Sequence, residues 1–111
     1  MIEKVIRDYL LTKVTVPVYI EQPAERKPTY VVIERTGGSL ENHVRQTTLA
    51  VQSVAESQYK AAVLHESVMV AVLQAIELDS IGGIYLNSEY NFPNEETKEH
   101  RYQAVFNITH Y

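Results

Sequence analysis

One stretch of this sequence, roughly residues 57–76, carries apolar side chains at helical spacing, and β-like segments lie on both sides of it. Ser57 is a typical helix N-cap, and an apolar stripe follows it at intervals of three and four residues. The stripe consists of Ala61, Leu64, Val68, Val72 and Ile76, widened by Ala62, Met69 and Ala75. The spacing predicts a long helix that packs on a sheet and forms the one natural crossover in the chain.

The segments before this helix predict a shorter helix and then strands. Apolar residues at helical spacing open the chain, namely Ile2, Val5, Ile6, Tyr9 and Leu10. A period of two then places Val14, Val16, Val18 and Ile20 on one face of a strand, and Pro17 inside it indicates an edge strand or a bulge. Residues 29–35 are rich in β-branched and aromatic residues and predict a second strand.

Three further strands are expected. The segment HVRQTTLAVQSVAES is β-rich but does not alternate cleanly, which indicates either a bulge or a strand covered on both faces. Two strands close the chain, one with Ile84, Leu86 and Tyr90 on a face, the other with alternating Tyr102, Ala104, Phe106 and Ile108.

The predicted order is therefore α-β-β-β-α-β-β, mostly with hairpin-like connections. It indicates an α+β fold in which a small antiparallel or mixed sheet of about five strands carries a short N-terminal helix and one long helix on one face. At 111 residues the chain fits a single domain, residues 1–111.

A glycine pair, Gly37-Gly38, follows the second strand and raises the question of a phosphate site. A dinucleotide fingerprint needs three spaced glycines before a helix, and a Walker loop needs Gly-Lys-Ser/Thr; this chain has neither. Because another strand follows, we interpret the pair as the turn of a β-hairpin.

Composition excludes several classes of function. The 10 Lys and Arg against 14 Asp and Glu give a net charge of −4, which disfavours nucleic acid as an affinity partner. There is no cysteine, so disulfides, thiolate catalysis and cysteine-based zinc sites are excluded. The apolar stretches are shorter than a membrane span and no signal peptide is evident, so we expect a protein made and used in the cytoplasm without crossing a membrane.

No constellation of residues indicates catalysis. The histidines His43, His65, His100 and His110 are scattered, and we place His65 at the edge of the long helix and the others on exposed strand ends. The acidic run with Glu95, Glu96 and Glu99 is typical of a solvated loop, and the serines lack a nucleophile elbow. We therefore expect no enzyme activity, no metal and no cofactor.

The tyrosines, six of them at strand positions or near loops, fit half-buried sheet positions and a contact surface about equally well. These six are Tyr19, Tyr30, Tyr85, Tyr90, Tyr102 and Tyr111.

The whole layout resembles the tail terminator and minor tail (head-tail joining) proteins of long-tailed bacteriophages and prophages. The short N-terminal helix and three segments carry the resemblance: VTVPVYIEQPAERKPTYVVIERTGG, TTLAVQSVAESQYKAAVLHESVMVAVLQAI and EHRYQAVFNITHY. The resemblance implies a structural protein of the virion that forms a ring, commonly of six subunits. It also implies that this ring caps the tail tube, ends tail polymerisation and forms the head-tail joining surface.

The same resemblance implies the partners and the place of the protein. The partners are further copies of the chain, the tail-tube protein and the head-tail connector protein, with DNA only passing through the lumen and no membrane. The place is the head-proximal end of the tail, after assembly in the bacterial cytoplasm. A head-completion stopper or another minor tail protein is the close alternative, and a small non-phage adaptor or ligand-binding domain is the more distant one.

Two long polar connections, residues 21–28 and 91–99, are the expected contact segments between subunits, because loops longer than a turn requires are often functional. The residues proposed for the interface are Glu21, Glu25, Arg26, Lys27, Tyr90, Glu95, Glu96 and Lys98. For the lining of an acidic or neutral lumen we expect Glu21, Glu25 and Glu41.

Overall fold

The computed structural model describes residues 1–25, 27–93, 96 and 99–111. A five-stranded sheet has the order β1-β2-β3-β5-β4, with β1 parallel to β2 and the other neighbours antiparallel. In chain order the elements are α1 (Ile2–Leu11), β1 (Val18–Tyr19), β2 (Tyr30–Glu41), β3 (Val44–Ala55), α2 (Gln58–Gln74), a 3-10 turn (Ala75–Glu77), β4 (Ile81–Asn91) and β5 (His100–His110). The predicted α+β fold with a mixed sheet is confirmed, whereas the assignment of residues 1–111 to one tail-terminator-like domain stays a prediction.

Both helices pack on one face of the sheet and enclose the main core. Ser57 caps α2 as expected, since its Oγ accepts a hydrogen bond from the Lys60 amide at 3.1 Å. Tyr9 joins the helices: its hydroxyl donates to Glu77 Oε1 at 2.8 Å. The largest fully buried apolar side chains of this core are Ile6, Leu10, Val31, Ile33, Leu49, Val51, Val68, Val72, Phe106 and Ile108.

A second, smaller core covers part of the other face of the sheet. Tyr30, Val32 and Val54 are buried there, and the rings of Tyr19 and Tyr30 meet edge to face with centroids 6.0 Å apart. This second core explains why β3 is buried without interruption from Leu49 to Ala55. Of the two explanations for its irregular alternation, coverage on both faces is confirmed for this half of the strand.

The first strand is shorter than predicted. The alternation from Val14 to Ile20 yields only a two-residue strand, because Val14 and Val16 pack against the main core from an irregular segment. The prediction of an edge position around Pro17 is confirmed, since β1 lies at the end of the sheet. Pro17 supplies a carbonyl rather than an amide there, accepting from the Val31 amide at 2.9 Å.

The β2–β3 hairpin exists, but the glycine pair does not form its turn. Gly37 and Gly38 lie inside β2, and the chain reverses at Asn42 and His43, whose φ angles are 51° and 66°. Two consecutive residues in the left-handed region form the turn that matches the twist of a hairpin. A Cβ on Gly38 would lie 3.0 Å from the Gln46 carbonyl oxygen, so this glycine permits a close approach of β2 and β3.

The inner face of α2 also differs in phase from the prediction. Val68 and Val72 are buried as expected, but Leu64 is only partly buried and Ile76 is 47% exposed. The helix tightens into the 3-10 turn after Gln74, and three residues per turn instead of 3.6 rotate Ile76 away from the sheet.

Candidate functional site

The structure brings the two predicted contact segments to the same end of the sheet. The described residues of segment 21–28 precede Tyr30, those of segment 91–99 lead from the end of β4 into β5, and Tyr30, Val54 and Arg101 are neighbours across β2, β3 and β5. The Tyr30 hydroxyl links the segments directly by donating to Glu99 Oε2 at 2.7 Å. This end of the molecule, with the described residues 20–25, 27–29, 92, 93, 96 and 99 and the corner at Glu56, is called the loop end below.

Most of the predicted interface residues that the structure describes lie at this end and are accessible. Glu21, Glu25, Lys27 and Glu96 are exposed. Arg26, Glu95 and Lys98 lie outside the described residues, so their placement in an interface stays a prediction.

Tyr90 belongs to a network on the face of the sheet that the helices leave open. Its hydroxyl meets the side-chain amide of Gln103, and Gln103 in turn accepts from Gln52 Nε2 at 2.9 Å. Arg101 donates to Gln52 Oε1 at 3.3 Å and lies 4.8 Å from the centre of the Phe92 ring. The network fixes a partly exposed aromatic and polar patch beside the loop end, a composition common in protein interfaces.

The three residues expected to line a lumen do not lie together. Glu21 and Glu25 are at the loop end, but Glu41 is the last residue of β2, at the opposite end of that strand. Eleven residue steps of about 3.3 Å separate Tyr30 from Glu41. Glu41 therefore does not come from a loop as expected, because β2 continues through the glycine pair, and the lining of a lumen by these three carboxylates stays a prediction.

The tyrosines divide between the two expected roles. Tyr30 is fully buried, and Tyr19 and Tyr102 are partly buried. By contrast, Tyr85, Tyr90 and Tyr111 are exposed.

The outer face of α2 is apolar and exposed. Residues at intervals of four, three, four and three place the same side of the helix toward solvent, with Glu66 as the charged member in the middle. The apolar members of this outer face are Tyr59, Val63, Val70 and Leu73, of which Tyr59 is 77% exposed and Val70 54% exposed. Several large apolar side chains exposed on one side of a helix, here with one charged residue between them, are a mark of a contact surface.

Because apolar residues lie on both sides of α2, the helix is apolar in its overall composition. The helical stretch Gln58–Glu77 is long and apolar enough to cross a membrane by length and composition alone. One such helix is weak evidence for a span, since the core helix of a soluble protein passes the same test.

His65 is buried and not at the edge of α2 as predicted. Its ring stacks on Tyr102 with centroids 5.2 Å apart, and its Nε2 lies 3.0 Å from Glu89 Oε1. Glu66 approaches the pair, so that one ligand atom from each of the three residues lies within 4.8 Å of the others. No spacing in the sequence indicates this arrangement, because Glu89 comes from β4 and His65 from α2. Both carboxylates are exposed, and the absence of a metal stays a prediction.

His110 is likewise buried, although a position on an exposed strand end was expected. Its Nε2 lies 2.7 Å from Thr47 Oγ1, on the helix-facing side of β5. Burial lowers the pKa of His110 below its usual value, and the charges of Arg45 and Arg35 lower it further. His43 is exposed in the β2–β3 turn, and His100 is partly buried at the start of β5.

Comparisons with known proteins identify the fold. No protein-family model matches this chain, and no curated protein matches it. Among solved structures, 25 chains match. One of them is a chain of a structure described as "Virion of native gene transfer agent (GTA) particle". It is 13% identical with a TM-score of 0.52, over 96% of this chain and 84% of that chain. At this identity the likeness shows that the two chains share a fold.

Proposed function

We propose that this chain is a structural component of a phage or prophage virion. In this proposal it caps the tail tube as a ring, ends tail polymerisation and forms the head-tail joining surface. The observation that carries the proposal is the fold shared over 96% of the chain with a protein of a gene transfer agent virion. That likeness agrees with the resemblance to tail terminator and minor tail proteins on which the sequence analysis rests.

The surfaces of the molecule support a protein that assembles. The outer face of α2 exposes four large apolar side chains, and the loop end exposes mixed charges beside the Tyr90 network. Contact surfaces of this kind combine an apolar centre with a polar rim. A head-to-tail contact between such surfaces closes into a ring when the rotation between neighbours permits it.

The proposed role includes no catalysis. The protein would act by binding further copies of itself, the tail-tube protein and the connector protein at the head-proximal end of the tail. DNA would pass through the ring without being held, consistent with a net charge of −4. A ring of six subunits is the form that the resemblance implies.

The proposal is tested by complementing a phage that lacks the gene. We expect particles without this protein to have tails of uncontrolled length that are not joined to heads, and the native gene to restore normal particles. Shortening residues 93–98 to a two-residue turn should produce the same defect, because it removes part of the loop end. Electron microscopy of the particles measures tail length and head attachment.

A folding control separates loss of contact from loss of structure. The shortened protein should melt like the native protein, since Pro93 and Glu96, the two described residues of the segment, are exposed. Normal joined particles in the absence of the gene would refute the proposed function. Normal particles from the shortened gene alone would remove residues 93–98 from the assembly surface.

A further inference from the structure

A cavity of about 370 Å³ lies at the end of the sheet opposite the loop end. The first turn of α1 forms its apolar wall through Ile2 and Val5. Its polar lining comes from β2, β3 and β5, from the residue just before β4 and from the residue just after β5. These lining residues are Arg35, Arg45, Ser80, His110 and Tyr111.

The charge in this cavity is positive and only partly compensated. Arg35 has a distant partner, since its Nη1 is 4.0 Å from Glu3 Oε1, and that carboxylate oxygen accepts no hydrogen bond among the described residues. Arg45 makes no hydrogen bond or ion pair within the part of the chain that the structure describes. The cavity therefore presents one guanidinium that is free and one that is weakly paired, beside a buried histidine.

A guanidinium in a concave site is suited to a carboxylate or phosphate oxygen, which it can bind through two parallel N–H bonds. His110 lines the same cavity as the two arginines, and its pKa is lowered by burial first and then by the charges of Arg45 and Arg35. The ligand that this chemistry fits is an oxyanion that enters from outside the subunit.

The loop end offers such oxyanions on the same molecule. Glu21, Glu25 and Glu56 are exposed there, and none of them makes a hydrogen bond or ion pair in residues 1–25, 27–93, 96 and 99–111. Along β3, ten residue steps of about 3.3 Å separate Arg45 from Ala55, which directly precedes Glu56. A carboxylate of the loop end cannot reach the cavity of its own subunit, so it can only meet the cavity of another.

DNA fits the cavity less well than a protein carboxylate. Binding to a phosphate backbone depends on several neutralising Lys and Arg spread along a surface. Here Glu3 adjoins Arg35, and the chain as a whole carries a net charge of −4. A single protein carboxylate needs only the concave site in order to bind. Complementary charges at the cavity and at the loop end would orient neighbouring copies head to tail.

We infer that the cavity lined by Arg35, Arg45 and His110 receives a carboxylate from the loop end of a second copy of this chain. The inference rests on the proposed function for its biological setting, and it names the contact that would join neighbours in the ring. It assigns Arg45 on one copy and the pair Glu21 and Glu56 on the next to the same interface.

The test uses the full chain and two charge-reversal variants in sedimentation velocity. The native protein should self-associate with a dissociation constant at or below about 1 mM, and added salt should weaken the association. Arg45→Glu alone and the double variant Glu21→Arg/Glu56→Arg alone should each associate about tenfold more weakly, because like charges then meet. An equal mixture of the two variants should associate like the native protein, since every contact in an alternating chain again joins opposite charges.

The mixture is the deciding measurement, because a variant that had merely lost its structure could not be rescued by another. Arg7→Glu, the same change of charge on α1, outside both ends and outside the outer face of α2, should associate like the native protein. A mixture that stays dissociated, or a native protein that is monomeric at about 1 mM, would overturn the inference. Loss of binding to a short DNA duplex in Arg45→Glu, with self-association unchanged, would assign the cavity to phosphate instead.

These outcomes are separable from the proposed function. A native protein that does not self-associate but still restores joined tails in the complementation experiment would remove this contact and leave the structural role in place. If the mixed variants associate as expected but loss of the gene leaves particles normal, the contact between copies stands and the role in a tail is refuted.

Discussion

The two faces of α2 are both apolar, yet they differ in size and in what they touch. The inner face is built from small side chains, a valine pair and one histidine, and it is buried against the sheet; its residues are Ala61, His65, Val68, Ala71 and Val72. The outer face carries larger side chains, Tyr59, Val63, Val70 and Leu73, that are exposed to solvent. Small residues inside allow the helix to approach the sheet closely, whereas large ones outside have no use in the isolated subunit.

This difference separates residues needed for folding from those available for assembly. We expect substitutions on the inner face to change the free energy of unfolding, and substitutions on the outer face to change contacts with partners instead. Three substitutions test the distinction.

Val68→Asp should have the largest effect. Val68 is 1% exposed, and a carboxylate there would be buried without a partner, so we expect the free energy of unfolding to fall by more than about 4 kcal/mol. Urea unfolding followed by circular dichroism measures the loss. Val68→Ala is the matched control, with a smaller expected loss of about 2 kcal/mol. A Val68→Asp protein as stable as the native one would show that the inner face is wrongly assigned.

His65→Gln should have an intermediate effect, about 1–3 kcal/mol. The substitution removes the ring that stacks on Tyr102 and the hydrogen bond between Nε2 and Glu89. The same urea titration provides the measurement. Glu89→Gln serves as a control that keeps an acceptor beside the ring, and it should cost less. If His65→Gln unfolds at the native urea concentration, the polar contact on the inner face contributes nothing to stability.

Val70→Asp should have the smallest effect on stability, within about 0.5 kcal/mol of the native protein. Val70 is 54% exposed, so the new carboxylate stays hydrated. If the outer face is a contact surface, the same variant should fail to restore joined tails, whereas Val70→Ala should restore them. Full complementation by Val70→Asp would exclude this part of α2 from the assembly surface.

The order and number of elements could be predicted because the strands and helices keep their separate periods over most of the chain. The environments of single residues and the position of the hairpin turn were predicted wrongly where the sequence pattern was ambiguous. Apolar residues surround α2, so no polar side fixes its rotation, and Ile76 and His65 were assigned to the wrong environments. Gly37 and Gly38 indicate a turn locally, but the pairing of β2 with β3 continues past them to Asn42.

The candidate surfaces depended on the fold to different degrees. The loop end was predictable as two long polar segments, since their length and composition are visible in the sequence. The cavity was not, because Arg35, Arg45 and His110 lie far apart along the chain and meet only through the register of three strands. Arg35 and Arg45 lie on the helix-facing side of the hairpin. That they share a side depends on the register shift between Arg35 and Gly37 and on the position of the turn at Asn42 and His43.

The brief pairing of β1 with β2 has a consequence for motion. Two residue pairs, Val18 with Val31 and Tyr19 with Val32, hold β1 to the sheet, whereas β2 and β3 pair along nearly their whole length. Segments held by few hydrogen bonds open at a lower free energy than the whole domain, and such openings precede global unfolding. Release of β1 would free the edge of β2 at Val31 and Val32, next to the part of β2 that β1 does not pair, and a bare strand edge is a template on which another extended chain can pair. The short parallel strand thus covers the start of this edge, and the frequency of its local opening determines how often these backbone groups are accessible to another chain.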